Sequence, residues 1–259
     1  MFEAIWSFFE GGGWGVHREQ VDAIADTLRR HGVDLATGLS YPHKRDMARS
    51  LNRFMADVVK AHPLFRPFGS VFVEDEDFRE CVDDVFASPH LFGFKFQPLV
   101  QRFDINHPKL DYLYARCQEA DFPILMHAGR APMVNEFVGL KHFVKLIARF
   151  PDLRICVAHM GAPEYDGFLR LCDDHPRLFL DTTMINTHTD LFDNRWVGDA
   201  DLLARHADRI CFGSDWPNVP YSYAEAIHSV SRFPLVEQAR AGVMGENALR
   251  FLRPFSSCA

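Results

Sequence analysis

Two histidines and an aspartate stand in matching settings along this chain. His127 ends the apolar run Pro123-Ile124-Leu125-Met126 and is followed by Ala128-Gly129. His159 ends Arg154-Ile155-Cys156-Val157-Ala158 and is followed by Met160-Gly161. Asp215 closes a third run of the same design, Arg209-Ile210-Cys211-Phe212-Gly213-Ser214, ahead of Trp216-Pro217. Imidazole shuttles protons near neutral pH and binds divalent metals in its neutral form, and carboxylate can do both jobs. A lone histidine reads more readily as a hydrogen-bonded core residue. Three such residues, each at the end of an apolar run, read as a site.

The runs must be strands for that reading to hold. Between the histidines, residues 137–150 place Leu140, Phe143, Val144 and Ile147 at helical spacing and stop at Pro151. Strand, helix and strand at this spacing make the βαβ unit of a parallel sheet. Ligands bind such sheets outside the carboxyl ends of the strands, where both histidines fall. The pattern repeats along the chain. Strands are expected to begin near residues 33, 68, 91, 123, 154, 178 and 210. Helices are expected over 1–10, 20–31, 46–60, 77–86, 108–120, 165–173, 199–207, 223–231 and 246–252. This predicts an α/β fold, a (β/α)8 TIM barrel forming a single domain over residues 1–259. A closed barrel of this type has eight strands, and only helical pattern follows Asp215. The first strand is therefore expected ahead of Met1.

The bulk numbers narrow the partners. A net charge of −7 with no long Lys/Arg block argues against nucleic acid. No apolar run reaches the length of a membrane helix, and residues 1–10 lack a basic leader, so neither a membrane nor a secretory destination is expected. The 6 cysteines are scattered without a CxxC pair and read as reduced core residues of a cytoplasmic protein. The open barrel edge left by an absent first strand favours association, in the simplest case as a homodimer.

Gly93-Phe94-Lys95, His127-Ala128-Gly129, His159-Met160-Gly161 and Gly213-Ser214-Asp215, in that order, resemble the amidohydrolase-related (amidohydrolase 2) branch of the amidohydrolase superfamily. That branch includes aminocarboxymuconate-semialdehyde decarboxylase, and the resemblance spans nearly the whole chain. It implies a TIM-barrel hydrolase or decarboxylase that uses one divalent metal, zinc first and manganese second. It also implies a metal-binding histidine on strand five, a second histidine on strand six and an aspartate on strand eight. Counting one strand ahead of Met1, these are His127, His159 and Asp215. The family's opening His-x-His pair has no counterpart here, since no His-x-His occurs in the sequence and His17 follows a glycine turn. That pair is expected upstream with the missing strand; without it, metal occupancy and activity are expected to be low.

On this reading His127 and Asp215 hold the metal, Asp215 also takes the proton of a bound water, and His159 is the general acid/base. Lys95 and Gln97 share strand parity and point into the barrel as substrate contacts; a structural ion pair is the alternative for Lys95. Arg130 follows a strand end and could hold an acidic or phenolic group, as could Arg102, for which a solvated loop position fits better. His43 and Trp216 face the same mouth, with Tyr221 beside them. His31, His62, His175 and His206 sit at helix ends as ordinary caps. The leading function is hydrolysis or decarboxylation of a small organic acid, ester, lactone or amide through metal-activated water. A metal-independent lactonase or decarboxylase on the same barrel, and a catalytically impaired barrel acting as a scaffold, are the competing readings.

Overall fold

The computed structural model describes residues 17, 19–131, 135–188 and 194–252. The aromatic helix expected over residues 1–10 and the strand expected ahead of Met1 lie outside the described residues.

Five short strands form one all-parallel sheet in chain order: β1 Phe94–Phe96, β2 Ile124–Met126, β3 Ile155–Val157, β4 Leu178–Asp181 and β5 Ile210–Cys211. In register, Lys95 lies beside Leu125, Leu125 beside Cys156, Cys156 beside Phe179, and Asp181 beside Cys211. Two further segments extend the same order upstream through single parallel bridges, Ala36 to Phe65 and Gly69 to Phe94. The sequence predicts full strands there. Pro67 is one reason the ladder is thin. Its carbonyl accepts from Phe92 N at 2.9 Å, but it has no N–H to return to that neighbour.

Side chains alternate along each strand as the pleat requires. Phe94, Phe96, Ile124, Met126, Ile155, Val157, Leu178, Leu180 and Ile210 face outward into the large core shared with the helices. Leu125, Cys156, Phe179 and Cys211 face inward and pack with Phe68 and Phe251. The helical layer consists of α1 Val21–Arg30, α2 Ala48–Ala61, α3 Phe78–Ala87, α4 Pro98–Gln101, α5 Leu110–Glu119, α6 Leu140–Arg149, α7 Tyr165–Asp174, α8 Ala200–Arg205, α9 Tyr223–Val230, α10 Glu237–Ala241 and α11 Asn247–Leu252. Helix α1 reaches across to α9, where Ala25 and Leu28 share a cluster with Phe65 and Tyr223, so the first and last parts of the barrel meet. In α2 the inward stripe includes a polar residue. Asn52 donates to Ser70 O and accepts from Ser70 N, both at 2.9 Å, tying helix to barrel. Cys81, Cys117, Cys156, Cys172 and Cys211 are buried and free, as their isolated placement predicts. Among the described residues no helix is long and apolar enough to cross a membrane.

The amino ends of the strands are closed by α11. The Phe251 ring sits 5.5 Å from Phe179 and 6.3 Å from Phe68. Its carbonyl accepts from Arg154 Nη1 at 2.9 Å. The carboxyl ends are left to the loops, and the site lies there.

Candidate active site

His127 follows the last residue of β2 and His159 stands in the turn Ala158–Gly161 after β3. Adjacent parallel strands bring the two imidazoles together edge to face, with centroids 4.9 Å apart. The turns that deliver them interlock. A Cβ on Gly129 would stand 2.4 Å from Gly161 C and 2.6 Å from Ala162 O, so only glycine permits this approach. Gly161 itself has φ +70°, and a Cβ there would meet the Phe168 ring at 2.0 Å. His159 and Met160 are also left-handed, with φ 55° and 48°. Such backbone costs roughly 1–2 kcal/mol per residue and persists where the surroundings enforce it.

His127 is 1% exposed, yet neither ring nitrogen has a hydrogen-bond partner. Burial holds its pKa well below the ordinary value, and His159 and Lys95 add to that; the backbone at Ala131 and Gly129 pulls the other way without reaching hydrogen-bond geometry. It is therefore a neutral imidazole whose nitrogens face an unfilled need. His159 differs. Its Nδ1 lies 3.2 Å from Thr183 O, and since a carbonyl only accepts, Nδ1 carries a proton. Nε2 is left as the atom that can exchange a proton.

Lys95, in β1, points into the barrel and is 5% exposed. Burial lowers its pKa, partly opposed by Asp215, Asp181 and Cys156. Beyond it, Gln97 N donates to Gln101 Oε1 at 2.9 Å, while the buried Gln97 Oε1 has no partner. Ser40 Oγ and Asn218 Oδ1, on loops after the first segment and after β5, are likewise buried and unpaired. Buried polar atoms without partners are uncommon in native proteins. Here several lie on loops at one end of the barrel.

The remaining expected residues are placed less centrally. Asp215 lies at the tip of the turn after β5, exposed and left-handed with φ 52°. Its charge bears on Lys95 and helps burial to raise the Tyr41 and Tyr221 hydroxyls. Tyr221 donates to Ser214 O at 2.8 Å, holding that turn. Trp216 stacks at an angle on His17, centroids 6.0 Å apart, and edge-on to Tyr223 at 5.8 Å, forming a wall beside it. His17 is tied to the same loop through Tyr221 O at 3.0 Å. Arg130 is exposed and paired with Glu164 at 3.2 Å. Glu164 also accepts from Leu140 N at the start of α6, so Arg130 serves the helix end in this structure. Arg102 is exposed, at the end of α4. His43 is half-buried after the first segment, and no hydrogen bond among the described residues joins it to the histidine pair. His62 and His206 pair with Asp22 at 2.7 Å and Asp173 at 3.1 Å, the structural positions expected of them.

One residue without an assigned role in the sequence stands at the centre. Asp181, the last residue of β4 and 5% exposed, accepts from His159 N at 2.8 Å and Thr183 N at 3.0 Å. Its signal is the one that marks the others, a charged residue closing the apolar run Leu178-Phe179-Leu180.

A divalent metal can be tested against these side chains. His127 fits a ligand, being buried, neutral and unpartnered. Among the described residues, however, no group of three or more His, Cys, Asp or Glu that could hold a metal ion is assembled. His127 supplies one ligand position, and a complete set needs more.

Parallel strands, an inward lysine and two neighbouring imidazoles at the carboxyl ends define a β/α barrel with a histidine pair at its mouth. The chain belongs to the amidohydrolase family, whose model matches residues 16–253. Among curated proteins, a dihydroorotase from Acaryochloris marina (strain MBIC 11017) is 23% identical over 60% of this chain. The match spans 50% of that relative's length. An uncharacterised TIM-barrel protein from Bordetella bronchiseptica superposes with a TM-score of 0.75 at 19% identity, over 96% of this chain and 90% of its own. The 5-carboxyvanillate decarboxylase of Sphingomonas paucimobilis gives 0.63 at 18%, over 87% and 81%. A dihydroxybenzoic acid decarboxylase from Polaromonas sp. JS666, with bound manganese and the inhibitor 2-nitroresorcinol, gives 0.64 at 17%, over 90% and 86%. At these identities the structures establish the TIM-barrel fold.

Proposed function

We propose that this chain is a decarboxylase of small hydroxylated aromatic acids. His159 is its general acid/base, and a divalent metal, manganese or zinc, would take His127 as one ligand and Asp215, on the exposed turn after β5, as a second. The observation that carries the reading is the pairing at the mouth of a proton-bearing His159, fixed by Thr183 O, with a buried His127 whose nitrogens lack partners. The decarboxylases named above support the substrate class. A divalent metal held there would supply Lewis-acid polarisation of a substrate oxygen.

The chain's own residues then do the following. Lys95, the buried amine facing the mouth, takes the substrate carboxylate or phenolate and holds it towards the histidines. His159 Nε2 takes up a proton from solvent and delivers it to the ring carbon that loses the carboxylate, while Nδ1–H stays on Thr183 O. The carbon–carbon bond breaks, carbon dioxide leaves, and the bonding pair returns to the ring, so the carboxylate plus one proton yields the arene plus carbon dioxide. Trp216 and Tyr221 wall the opening and limit water.

Hydrolysis of a cyclic amide or lactone is the second reading, favoured by the dihydroorotase match. The decarboxylase reading leads because its similar structures cover far more of this chain. Carbon dioxide release from 2,6-dihydroxybenzoate and 5-carboxyvanillate should be measured with added manganese or zinc, beside hydrolysis of dihydroorotate and simple lactones. Release from a hydroxybenzoate that disappears in His159→Gln is expected. Turnover of dihydroorotate or lactones alone would transfer the assignment to hydrolysis, and no turnover of either class would overturn both.

A further inference from the structure

We infer that Asp181 is a positioning residue for His159, setting both the backbone of that histidine and the tautomer of its ring. This rests on the reading of His159 as the general acid/base. One carboxylate oxygen, Oδ1, accepts from His159 N at 2.8 Å and from Thr183 N at 3.0 Å. The carbonyl of that same Thr183 accepts from His159 Nδ1 at 3.2 Å. The three contacts close a ring: carboxylate to the histidine's backbone, carboxylate to the threonine's backbone, threonine carbonyl to the histidine's side chain.

The ring answers a specific problem. His159, Met160 and Gly161 are three successive left-handed residues, a backbone that L side chains seldom adopt. In that conformation His159 N points across to β4 and needs an acceptor there, because His159 is only 8% exposed. Hydrogen bonds to a carboxylate are the stronger, charge-assisted kind. Asp181 is itself fixed, since it is 5% exposed and continues β4 in register beside Cys211. Thr183 is anchored nearby, with Thr182 N donating to Cys211 O at 3.0 Å and Ile185 N to Thr182 O at 3.1 Å. A rigid sheet end thus dictates where the imidazole stands and which nitrogen faces the mouth. Outer partners that orient a histidine in this way commonly matter to activity by about 10–100-fold.

Asp181 also bears electrostatically on Lys95, so a charge role has to be separated from a positioning role. Asp181→Asn keeps an acceptor oxygen and loses the charge; Asp181→Ala and Asp181→Val lose the acceptor, the valine keeping volume and suiting a strand. Protein labelled with 15N-histidine, with the His159 signals identified by their absence in His159→Gln, reports the tautomer directly. The proposal predicts an Nδ1–H form with a slowly exchanging proton in the wild type and in Asp181→Asn. It predicts loss of that signature in Asp181→Ala or Asp181→Val. On the hydroxybenzoate panel, kcat should fall by about 10–100-fold in the latter pair with KM changed little, and Asp181→Asn should recover most of it. An Nε2–H form in the wild type overturns the proposal. So does an Asp181→Asn variant as impaired as Asp181→Ala, which would make the charge the active element. Failure of both acceptor-free variants to fold would assign the carboxylate to the fold and overturn it too. If the wild type turns over no substrate, the proposed function falls while the imidazole spectrum still decides the positioning.

Discussion

The two ends of this barrel are built on opposite principles. At the amino ends of the strands, the left-handed residue Asp121 (φ 50°) is tied down by hydrogen bonds and an aromatic ring closes the sheet. Phe251 fills the opening against Phe68 and Phe179, and Arg154 gives its guanidinium to Phe251 O and to both the side chain and backbone of Asp121. At the carboxyl ends, backbone is left-handed at His159, Met160 and Asp215, and buried atoms of Ser40, Gln97 and His127 lack hydrogen bonds. Strain and unmet polar groups cost stability, and proteins keep them where a ligand or transition state makes use of them. The floor holds the fold together, and the mouth is held in readiness by it.

Substitutions should separate the two ends. The largest structural effect is expected from Gly161→Ala, where a left-handed backbone and a Cβ only 2.0 Å from Phe168 combine. Urea unfolding should show a loss of about 3 kcal/mol, with activity lost as the His159 turn shifts. At the floor, Arg154→Ala strips hydrogen bonds from Phe251 O and Asp121. Because Asp121 is 46% exposed, its charge remains partly solvated, and the expected loss is about 2 kcal/mol rather than the larger figure for a fully buried pair. The kcat of the folded enzyme should be unchanged, and a drop in kcat would blur the division between floor and mouth.

Lys95→Met should act in the opposite sense, raising stability at neutral pH by about 1–3 kcal/mol while weakening substrate binding. The pH dependence follows from the lowered pKa. Between the folded value and the ordinary 10.5, the unfolded chain holds a proton at this lysine that the folded chain has released. Wild-type stability therefore rises with pH in that window, by up to about 1.4 kcal/mol per unit, and levels off above it. The advantage of Lys95→Met should narrow accordingly, and an advantage constant across the window would contradict the assignment. The smallest effect is expected from Gly245→Ala, since a Cβ there meets nothing within 4 Å. A change within about 1 kcal/mol, on the stabilising side, is predicted by thermal unfolding.

Much of the mouth was legible in the sequence because parallel strands impose one polarity. Apolar runs ending in His127, His159 and Asp215 had to deliver those residues to the same end, and the histidines do meet. Apart from the single turn α4, which no stripe marks, the helices from α1 to α9 fall within a few residues of their apolar stripes. Helix α10 was not legible, because none of its residues is buried and no stripe marks it. The sequence pattern predicts full strands in the first two segments, but pairing there is reduced to single bridges around Pro67. Arg130 follows a strand end as expected, yet its neighbour in space is Glu164, 34 positions along and set by the α6–α7 packing. Asp181 shows the deeper limit. A carboxylate at a strand end can be read from sequence, but which backbone amides it takes depends on the left-handed turn of a neighbouring strand.

The account rests on the mouth being the place of reaction, and one comparison tests this most directly. Carbon dioxide release from the hydroxybenzoates should be followed for the wild type, His159→Gln and Arg154→Lys, each with manganese or zinc supplied and each checked for folding. The account predicts that His159→Gln folds normally and loses about 10²–10⁴-fold in kcat/KM, while Arg154→Lys turns over at the wild-type rate. A folded His159→Gln with undiminished turnover would contradict it.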